Sequence, residues 1–437
     1  MTLRIGIRQE ENILKEKRAP LIPSHVRQLV AEHALDIRVE ASTLRIFADE
    51  QYRREGARIA RDLGDCDIIL AIKEIPIRKI LPGKVYIFFS HTAKGQPQNM
   101  PMLKRLIDRR CTLIDYEKIV DDRGRRLVFF GKQAGLAGMV DSLWSLGQRL
   151  RLEGLSNPFA HIRHMPTYQS LVDAEEAVRK VGWEIKEKGL NPCLAPLVCG
   201  IAGYGHTSQG AQEIFGLLPV EHIAPQGLAG LFKKKNYSAN RVYQVVFKEE
   251  DMVAPKPGQG AFDLQDYYKN PKNYRPRLSS YLPYLTMLIN CIYWTSDYPR
   301  FVTLATLKKL YGAKKPPRLR VIGDISCDVK GSIESTVKAT HLQKPVYVYD
   351  LKKGRPYDGF KGKGPVVMSV YNLPAEIPLE SSVFFSQVLK DFIPVLAGAD
   401  FGRTFDDCHL PDPLKGAVIL FNGEFTPSYS YMKPFVA

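Results

Sequence analysis

Short runs of consecutive apolar residues recur along the first third of the chain, and helical patterns separate them. The clearest are residues 67–72 (DIILAI) and 85–89 (VYIFF), in which apolar and polar side chains do not alternate. A strand that is apolar on both faces is typical of a parallel sheet covered by helices on each side. Strands and helices alternate from residue 4 to residue 116, so the sequence predicts a doubly wound α/β domain here.

A second α/β pattern begins after residue 131 with two long helical stretches, at 133–153 and 168–188. A strand predicted at 194–200 leads through a glycine-rich turn, 203–210 (GYGHTSQG), into a helix predicted at 211–218. This order of strand, glycine turn and helix is typical of a dinucleotide-binding unit. Further strands that can complete the second sheet are predicted at 242–247, 319–325, 346–350 and 366–370.

The length of the chain favours two domains. Its 437 residues exceed the usual domain size of about 100–150 residues by a wide margin. We therefore expect an α/β protein with two doubly wound, Rossmann-like domains and an active-site cleft between them. The expected division is a substrate (catalytic) domain over 1–130, a dinucleotide-binding domain over 131–373, and a return of the chain to the substrate domain over 374–437.

The charge of the chain limits its partners. Lysine and arginine number 62 against 46 aspartates and glutamates, which gives a formal net charge of +16 and favours anionic ligands. The dense basic runs at 233–235 (KKK) and 352–355 (KKGR) lie among glycine, proline and polar residues. They are typical of solvated loops, whereas a nucleic-acid surface combines basic residues with interleaved aromatic ones. We expect no nucleic-acid partner.

Two further absences in the sequence bear on location and metal binding. No stretch approaches the roughly 18 consecutive apolar residues of a membrane span, and the N-terminus shows no signal-peptide core. We therefore expect no membrane partner and a cytoplasmic location. The 7 cysteines include no C-x-x-C pair and leave an odd count, so we predict neither a disulfide framework nor a metal site.

The glycine turn is the predicted cofactor site. Gly203 and Gly205 allow a tight turn and a close approach to a pyrophosphate, and Gly210 lets the helix lie close to its strand. The spacing is longer than the common G-x-G-x-x-G, so a purely structural turn is the alternative. Glu221 ends the next predicted strand and is the candidate for holding the ribose. This residue favours NAD without excluding NADP.

Ionisable residues follow the predicted strands of the first domain. Ligands of open α/β sheets bind at the carboxyl ends of the strands, so these residues predict an active site, although each one alone is more typical of an ordinary surface or structural group. A lysine and a histidine can form a proton-transfer pair, and arginines can bind carboxylates. The residues are Lys73 and Glu74 after 67–72, His91 after 85–89, Glu117 after 112–116, Arg18 after the first strand, and Arg126 at the start of a strand predicted at 127–131.

Longer motifs resemble a known family over nearly the whole chain. The chain resembles the lysine-ketoglutarate reductase half of bifunctional aminoadipate semialdehyde synthase. It is more distantly similar to lysine-forming saccharopine dehydrogenase and alanine dehydrogenase. The motifs are 16–21 (EKRAPL), 88–96 (FFSHTAKGQ), 113–118 (LIDYEK), 210–215 (GAQEIF), 288–294 (LINCIYW), 324–326 (DIS), 331–334 (GSIE) and 372–378 (NLPAEIP).

The resemblance implies an NAD(P)-dependent oxidoreductase acting on a CH–NH bond. It would condense the ε-amine of lysine with 2-oxoglutarate and reduce the imine to saccharopine, reversibly. By motif, Lys73 and His91 match the catalytic acid/base pair. The implied substrate-binding residues are Arg18, Glu74, Glu117, Arg126 and Phe130. The expected cofactor-binding residues are Gly203, Gly205, His206, Thr207, Gly210, Glu221 and Asp324.

Other functions stay open at this point. One is a related imine-reducing, opine-type or amino-acid dehydrogenase that takes a different amine or 2-oxo acid. Segment 288–294, which alanine dehydrogenases lack, argues against reductive amination by ammonia. A non-catalytic nucleotide sensor or nucleic-acid binder is disfavoured because both Lys73 and His91 are present. The sequence leaves the choice of NAD or NADP, the physiological direction and the oligomeric state open.

Overall fold

The structure is a computed structural model that describes residues 3–11, 15–314 and 316–436. The chain divides into two units. Unit 1 comprises Met1–Phe130 and Pro378–Ala437, and unit 2 comprises Gly131–Ile377. Among the described residues, no helix has the length and apolar character needed to cross a membrane.

Most strands are short, with two to six residues each. In chain order they are β1 Ile5–Ile7, β2 Ile37–Glu40, β3 Arg58–Ala60, β4 Ile68–Leu70, β5 Val85–Phe88, β6 Thr112–Asp115, β7 Leu197–Ala202, β8 Val220–His222, β9 Val242–Phe247, β10 Val253–Pro255, β11 Tyr274–Pro276, β12 Met287–Asn290, β13 Val321–Asp324, β14 Val346–Asp350, β15 Arg355–Asp358, β16 Val366–Met368, β17 Val418–Phe421 and β18 Glu424–Phe425.

The α-helices range from 4 to 22 residues. In chain order they are α1 Pro23–His33, α2 Asp49–Arg54, α3 Met100–Asp108, α4 Gly131–Leu152, α5 Leu171–Lys188, α6 His206–Phe215, α7 Leu228–Lys234, α8 Glu249–Met252, α9 Leu264–Lys269, α10 Leu304–Tyr311, α11 Pro378–Leu389, α12 Ile393–Gly398 and α13 Asp412–Lys415.

Unit 1 is built on an eight-stranded sheet in the order β18-β17-β6-β5-β4-β1-β2-β3. The six strands from β6 to β3 are parallel, and β17 and β18 are antiparallel. The apolar runs noted in the sequence become β4 and β5, whose residues are all buried. Apolar strands of this kind need cover on both faces, which explains why helices such as α3 bury Leu103 and Leu106 against the sheet core.

The strand predicted at 127–131 does not form. Residues 127–130 are irregular, and the nearest pairing is an isolated bridge between Val120 and Arg126. The reason is that the position beside β6 is taken by β17, which pairs with β6 in antiparallel fashion. Val128 is nevertheless buried, because an apolar segment can pack on a core without joining its sheet.

Unit 2 is built on a second eight-stranded sheet, in the order β15-β14-β16-β13-β12-β7-β9-β8. The strands from β16 to β8 are parallel, and β14 and β15 add an antiparallel edge. Strands β10 and β11 form a separate antiparallel pair. The predicted fold class, α/β with two doubly wound sheets, is confirmed.

Helix α4 is the central helix of unit 2, and 14 of its 22 residues are buried. It packs against α6, β13 and β16. The short 3-10 helix Leu373–Glu376 also packs on α4, so residues 374–377 lie with unit 2 and the return to unit 1 begins at Pro378. This is four residues later than the division expected from the sequence.

Candidate functional site

The carboxyl ends of four neighbouring strands form one edge of the unit 1 sheet. Strands β6, β5, β4 and β1 are adjacent and parallel, with Ile5 opposite Ile68, Ile68 opposite Val85, and Val85 opposite Thr112. Residues that follow these strands therefore emerge on the same side. This is the position at which open α/β sheets bind ligands.

Lys73 follows β4 and is held by a buried carboxylate. Glu10 accepts backbone hydrogen bonds from Ile72 at 2.6 Å and from Lys73 at 3.1 Å. Burial lowers the pKa of the Lys73 ammonium, and the charge of Arg18 lowers it further, while three nearby carboxylates act in the opposite direction. A lysine with a lowered pKa can release and take up a proton closer to neutrality than a solvated lysine.

His91 and Glu74 form a hydrogen-bonded pair. The distance between His91 Nδ1 and Glu74 Oε1 is 2.5 Å, and both side chains are about one-third exposed. Burial alone would raise the pKa of Glu74, but the hydrogen bond and charge of His91 bring it below its ordinary value. An ionised carboxylate on Nδ1 orients the imidazole, so Nε2 is the atom that can exchange a proton with a ligand.

The backbone at His91 is unusual and is held by a side chain. Its φ is 47°, in the left-handed region that non-glycine residues rarely adopt. Asn99 Nδ2 donates to the His91 carbonyl at 3.0 Å, and the imidazole is stacked with the Phe89 ring at 6.3 Å. Strained backbone kept in place by such contacts is typical of functional positions.

Arg18 is buried and makes a two-pronged ion pair with Glu16. Its Nε lies 2.8 Å from Glu16 Oε1 and its Nη2 lies 2.7 Å from Glu16 Oε2. Burial alone would raise the pKa of Glu16, but the charge and hydrogen bonds of Arg18 lower it to about 2. The guanidinium also lies 4.4 Å above the Phe130 ring, which orients it by a cation–π contact.

An aromatic cluster supports these charged groups. Phe130 stacks on Phe385 at 4.8 Å, Tyr116 meets Phe385 edge-on at 4.9 Å, and Phe89 lies 5.2 Å from Tyr116. The Tyr116 hydroxyl is buried and has no hydrogen-bond partner among the described residues. Burial raises the pKa of this hydroxyl, which therefore stays a neutral donor. The structure thus brings Arg18, Phe130 and His91 to one apolar wall.

Glu117 and Arg126 pair with each other. The distance from Arg126 Nη1 to Glu117 Oε1 is 3.3 Å, and the Arg126 side chain is 48% exposed. Asp115, which ends β6, accepts the Glu117 backbone N–H at 2.8 Å and so fixes the start of this turn.

In unit 2 the glycine turn follows β7 as predicted. Gly203 has a φ of 93°, a conformation that favours glycine. Gly205 is the N-cap of α6 and supplies no side-chain cap. A Cβ added at Gly205 would point into open space, with no described atom within 4 Å. Helix α6 begins at His206 and Thr207, and the backbone N–H groups at the start of an α-helix suit a phosphate.

Gly210 was predicted to let its helix lie close to the preceding strand, and the predicted packing partner was wrong. The helix begins at His206, five residues earlier than predicted, because the turn needs only residues 203–205. Gly210 therefore lies inside α6, and its added Cβ would meet the Lys132 carbonyl oxygen of α4 at 2.1 Å. Gly210 lets α6 approach another helix, whereas we expected an approach to the strand.

The order of the strands also changes the interpretation of Glu221. Strand β9 lies between β7 and β8, so Glu221 stands on the edge strand, one strand away from the glycine turn. There it pairs with Arg241 at 2.8 Å. The residue after β9 that borders the turn is Glu249, whose Oε1 accepts a hydrogen bond from the Tyr268 hydroxyl at 2.8 Å.

A cavity of about 420 Å³ opens at this turn. Its lining includes the turn residues Gly203, Tyr204 and Gly205, together with Glu249 and several aromatic residues. This site fits a dinucleotide. The phosphates can lie in the open space beside Gly205 at the N-terminus of α6, and the rings can stack on the aromatic side chains. The aromatic lining residues are Tyr267, Tyr268, Tyr293, Trp294, Tyr298 and Phe301.

Asp324 does not line this cavity. It ends β13 and is buried, with Oδ1 accepting from Asn290 at 2.8 Å and Oδ2 accepting from Thr336 at 2.5 Å. Burial raises the pKa of Asp324 to about 6. These bonds indicate a role in joining β12 and β13 to the following loop.

Four residues at the two sites were not predicted from the sequence. Glu16 lies inside the EKRAPL motif and could have been found as the partner of Arg18, because a buried arginine needs an acidic neighbour. Glu10 follows β1 and could have been found by the same rule that selected Lys73. Tyr116 and Glu249 required the tertiary structure, because aromatic packing and strand order are not local properties.

Comparisons with known proteins agree with the two-sheet fold. The model of the alanine dehydrogenase/PNT N-terminal domain matches residues 6–137. The solved structure of an L-alanine dehydrogenase covers all of this chain with a TM-score of 0.63 at 17% identity. A transhydrogenase from Sinorhizobium meliloti covers 97% with a TM-score of 0.54 at 14% identity. At these identities the likeness concerns the fold alone.

Sequence relatives extend the similarity over nearly the whole chain. Alpha-aminoadipic semialdehyde synthase of Arabidopsis thaliana is 40% identical over 98% of this chain and 41% of its own length. The mitochondrial form of Bos taurus is 33% identical over 98% of this chain and 47% of its own length. The chain thus spans less than half the length of these two relatives. Saccharopine dehydrogenase [NAD(+), L-lysine-forming] of Neurospora crassa is 26% identical, with 87% of each chain covered. The chain is therefore similar in sequence to part of aminoadipic semialdehyde synthase and to saccharopine dehydrogenase, and its residues 6–137 match the alanine dehydrogenase/PNT N-terminal domain, as its motifs predicted.

Proposed function

We propose that the protein is an NAD(P)-dependent oxidoreductase that forms saccharopine from lysine and 2-oxoglutarate, in a reversible reaction. The observation that carries this proposal is that a half-buried Lys73 with a lowered pKa and a carboxylate-bound His91 follow the neighbouring parallel strands β4 and β5. The similarity to saccharopine dehydrogenase [NAD(+), L-lysine-forming] supports the choice of reaction.

Imine formation requires several proton transfers, and the two residues suit different ones. The ε-amine of lysine must lose a proton before it attacks the keto carbon, and Lys73, with its lowered pKa, is the proposed base. The carbinolamine must then lose water, which requires a proton on the departing hydroxyl. His91 Nε2 is the proposed donor, because Nδ1 is engaged by Glu74. The reduced cofactor, when bound, supplies the hydride that converts the imine carbon to an amine.

The substrates carry carboxylates that need cationic partners. Arg18 is the proposed partner of a 2-oxoglutarate carboxylate, because it brings a buried positive charge to the wall formed by Phe130 and Phe385. An unpaired buried carboxylate would be strongly unfavourable, so such a cation is required. Glu74, Glu117, Arg126 and Phe130 are proposed as further substrate-binding residues.

The dinucleotide is proposed to bind at the glycine turn of unit 2. Gly203, Gly205, His206 and Thr207 would surround the pyrophosphate. Glu249 is proposed as the residue that meets the adenosine ribose, in place of Glu221. The proposed cofactor is NAD or NADP.

A substrate screen tests the proposed reaction. The purified protein is mixed with NADH or NADPH, with 2-oxoglutarate and with a panel of amines, and cofactor oxidation is followed by absorbance. We expect oxidation with lysine and a product with the mass of saccharopine. Oxidation with pyruvate and ammonia, and none with lysine and 2-oxoglutarate, would contradict the proposal.

The cellular location and some partner predictions remain proposals. We propose a cytoplasmic protein that acts on small molecules and has no nucleic-acid or membrane partner. The Bos taurus relative is named as mitochondrial, so fractionation of the source cells with an antibody against this protein is the appropriate test.

A further inference from the structure

Three potential metal ligands that are distant in sequence meet inside unit 2. Asp141 belongs to α4, His164 lies in the segment after α4, and Glu376 ends the 3-10 helix Leu373–Glu376. One donor atom from each residue lies within 4.8 Å of the other two. None of the three belongs to the residues proposed for substrate or dinucleotide binding.

The distances within this cluster match a metal site. His164 Nε2 lies 3.2 Å from Asp141 Oδ2 and 3.7 Å from Glu376 Oε1. A tetrahedral zinc ion with bonds of about 2.0–2.2 Å holds its ligand atoms about 3.3–3.6 Å apart. One imidazole nitrogen and two carboxylate oxygens are also a donor set that zinc accepts.

The same atoms lack other partners. Asp141 Oδ2, His164 Nε2 and both oxygens of Glu376 are buried, and apart from their close contacts with one another no described residue satisfies them by a hydrogen bond. The side chains of Asp141 and Glu376 are fully buried, with 0% of their surface exposed. Two buried carboxylates close together are unfavourable unless a cation or a proton neutralises them. The cluster therefore requires positive charge at its centre.

Neighbouring groups orient these donors. The Met165 backbone N–H donates to Asp141 Oδ1 at 2.9 Å, which leaves Oδ2 directed at His164. The Trp144 ring packs on the His164 ring at 4.9 Å and restricts its rotation. Side chains that bind a metal are typically oriented by additional contacts of this kind.

We propose that Asp141, His164 and Glu376 bind a divalent transition metal, with zinc as the preferred ion and water as the fourth ligand. The ion joins α4, the segment around His164 and the end of unit 2. Its role is structural, because a bound ion that the unfolded chain cannot hold in this geometry stabilises the folded state. The proposal is independent of the proposed enzymatic reaction.

Protons are the alternative source of positive charge. Burial alone would lower the pKa of His164, but Asp141 and then Glu376 raise it to about 10. Burial and the charge of Asp141 raise the pKa of Glu376 well above its ordinary value. A charged His164 beside Asp141, with a protonated Glu376, would neutralise the cluster without a metal. Metal content separates these two arrangements.

The test uses the whole 437-residue chain. After removal of metals with a chelator and dialysis against zinc, elemental analysis should find about one zinc per chain. Zinc at about 100 times its Kd should raise the Tm of the metal-free protein by roughly 5–10 °C. Cobalt(II) in place of zinc should give the intense visible absorption bands of a tetrahedrally coordinated ion.

Matched variants assign the site. Glu376→Gln keeps the shape of the side chain, removes its charge and should lower the bound zinc at least tenfold. Glu184→Gln is the control, because Glu184 lies 3.9 Å from His161 in an exposed pair of the same residue types, and it should leave the zinc content unchanged. If Glu376→Gln fails to fold, the cobalt spectrum and the zinc-dependent Tm of the unaltered protein decide. A protein that retains less than a tenth of an equivalent of zinc and shows no Tm change with zinc overturns the proposal.

Discussion

At the scale of single residues, the unit 1 site depends on charged groups that hold one another in place. His91 is fixed by Glu74 and Asn99, Arg18 by Glu16, and the Lys73 backbone by Glu10. These partners restrict the side chains before any substrate binds, which reduces the entropy lost in the reaction.

Removal of either proposed proton-transfer group should reduce turnover. We expect Lys73→Met and His91→Asn each to lower kcat by about 10²–10⁴-fold, because general acid–base groups contribute that much. Asparagine is chosen at position 91 because it tolerates the left-handed backbone better than most residues. Steady-state kinetics with lysine and 2-oxoglutarate provide the measurement.

Exposed residues of the same types serve as controls for these variants. Lys104→Met on α3 and His33→Gln on α1 should keep full activity, because both side chains face solvent. Near-normal kcat in Lys73→Met and His91→Asn would show that neither residue transfers a proton.

The position of Glu249 predicts a change in cofactor preference. A carboxylate that meets the ribose accepts hydrogen bonds from its hydroxyls and repels a 2′-phosphate. Glu249→Gln should therefore raise the affinity for NADPH relative to NADH, as measured by calorimetry. Glu221→Gln is the control and should leave the ratio unchanged, because Glu221 pairs with Arg241 away from the turn. A changed affinity for NADPH relative to NADH in Glu221→Gln alone would show that Glu221, and not Glu249, meets the ribose.

At the scale of elements, unit 2 depends on a close crossing of two helices. Gly135 of α4 and Gly210 of α6 stand at this crossing, where an added Cβ would lie 2.0 Å from the Thr207 oxygen and 2.1 Å from the Lys132 oxygen, respectively. Backbone atoms cannot move aside as a flexible side chain can. The crossing also places the start of α6, and with it the glycine turn, relative to α4.

Gly210→Ala should therefore destabilise unit 2. The overpacking should cost about 1–3 kcal/mol, although alanine favours a helix more than glycine does. Gly230→Ala in α7 is the matched control, because no described atom lies within 4 Å of its added Cβ. The control should be neutral or more stable by up to about 1 kcal/mol. Urea unfolding of both variants provides the measurement, and equal stabilities would contradict this account of the crossing.

At the scale of the whole molecule, the buried carboxylates give stability an unusual dependence on pH. Burial raises the pKa of Glu10 from 4.5 to about 7, even though the backbone hydrogen bond from Ile72 lowers it. The folded protein therefore holds a proton on Glu10 in a pH range where the unfolded chain has lost it. The free energy of unfolding must then fall as the pH rises from about 4.5 to about 7. Glu16, with its lowered pKa, acts in the opposite sense between about 4.5 and about 2.

Glu10→Gln tests this dependence. The shift of Glu10 corresponds to a loss of about 3 kcal/mol between pH 4.5 and pH 7. The variant should lack this part of the decline, because glutamine does not titrate. Urea unfolding followed by circular dichroism at pH 5 and pH 8 measures both proteins. The same decline in the variant and in the unaltered protein would show that Glu10 titrates normally.

The sequence by itself determined the features that depend on neighbours along the chain. The apolar runs at 67–72 and 85–89 predicted β4 and β5, because buried parallel strands need apolar side chains on both faces. The charged residues after these strands were predicted to share one edge, and Arg18, Lys73, Glu74 and His91 do follow parallel neighbours. The glycine turn was likewise recognisable, because its conformation is set by a few consecutive residues.

Only the tertiary structure decided which segments lie side by side. Strand β9 occupies the place beside β7, which moves Glu221 away from the turn and brings Glu249 to it. Strand β17 occupies the place beside β6, so residues 127–131 form no strand. Asp141, His164 and Glu376 meet although up to 235 positions separate them. Strand order and side-chain clusters result from packing between segments that are distant in sequence. The free energy of that packing cannot be inferred from any short stretch of sequence.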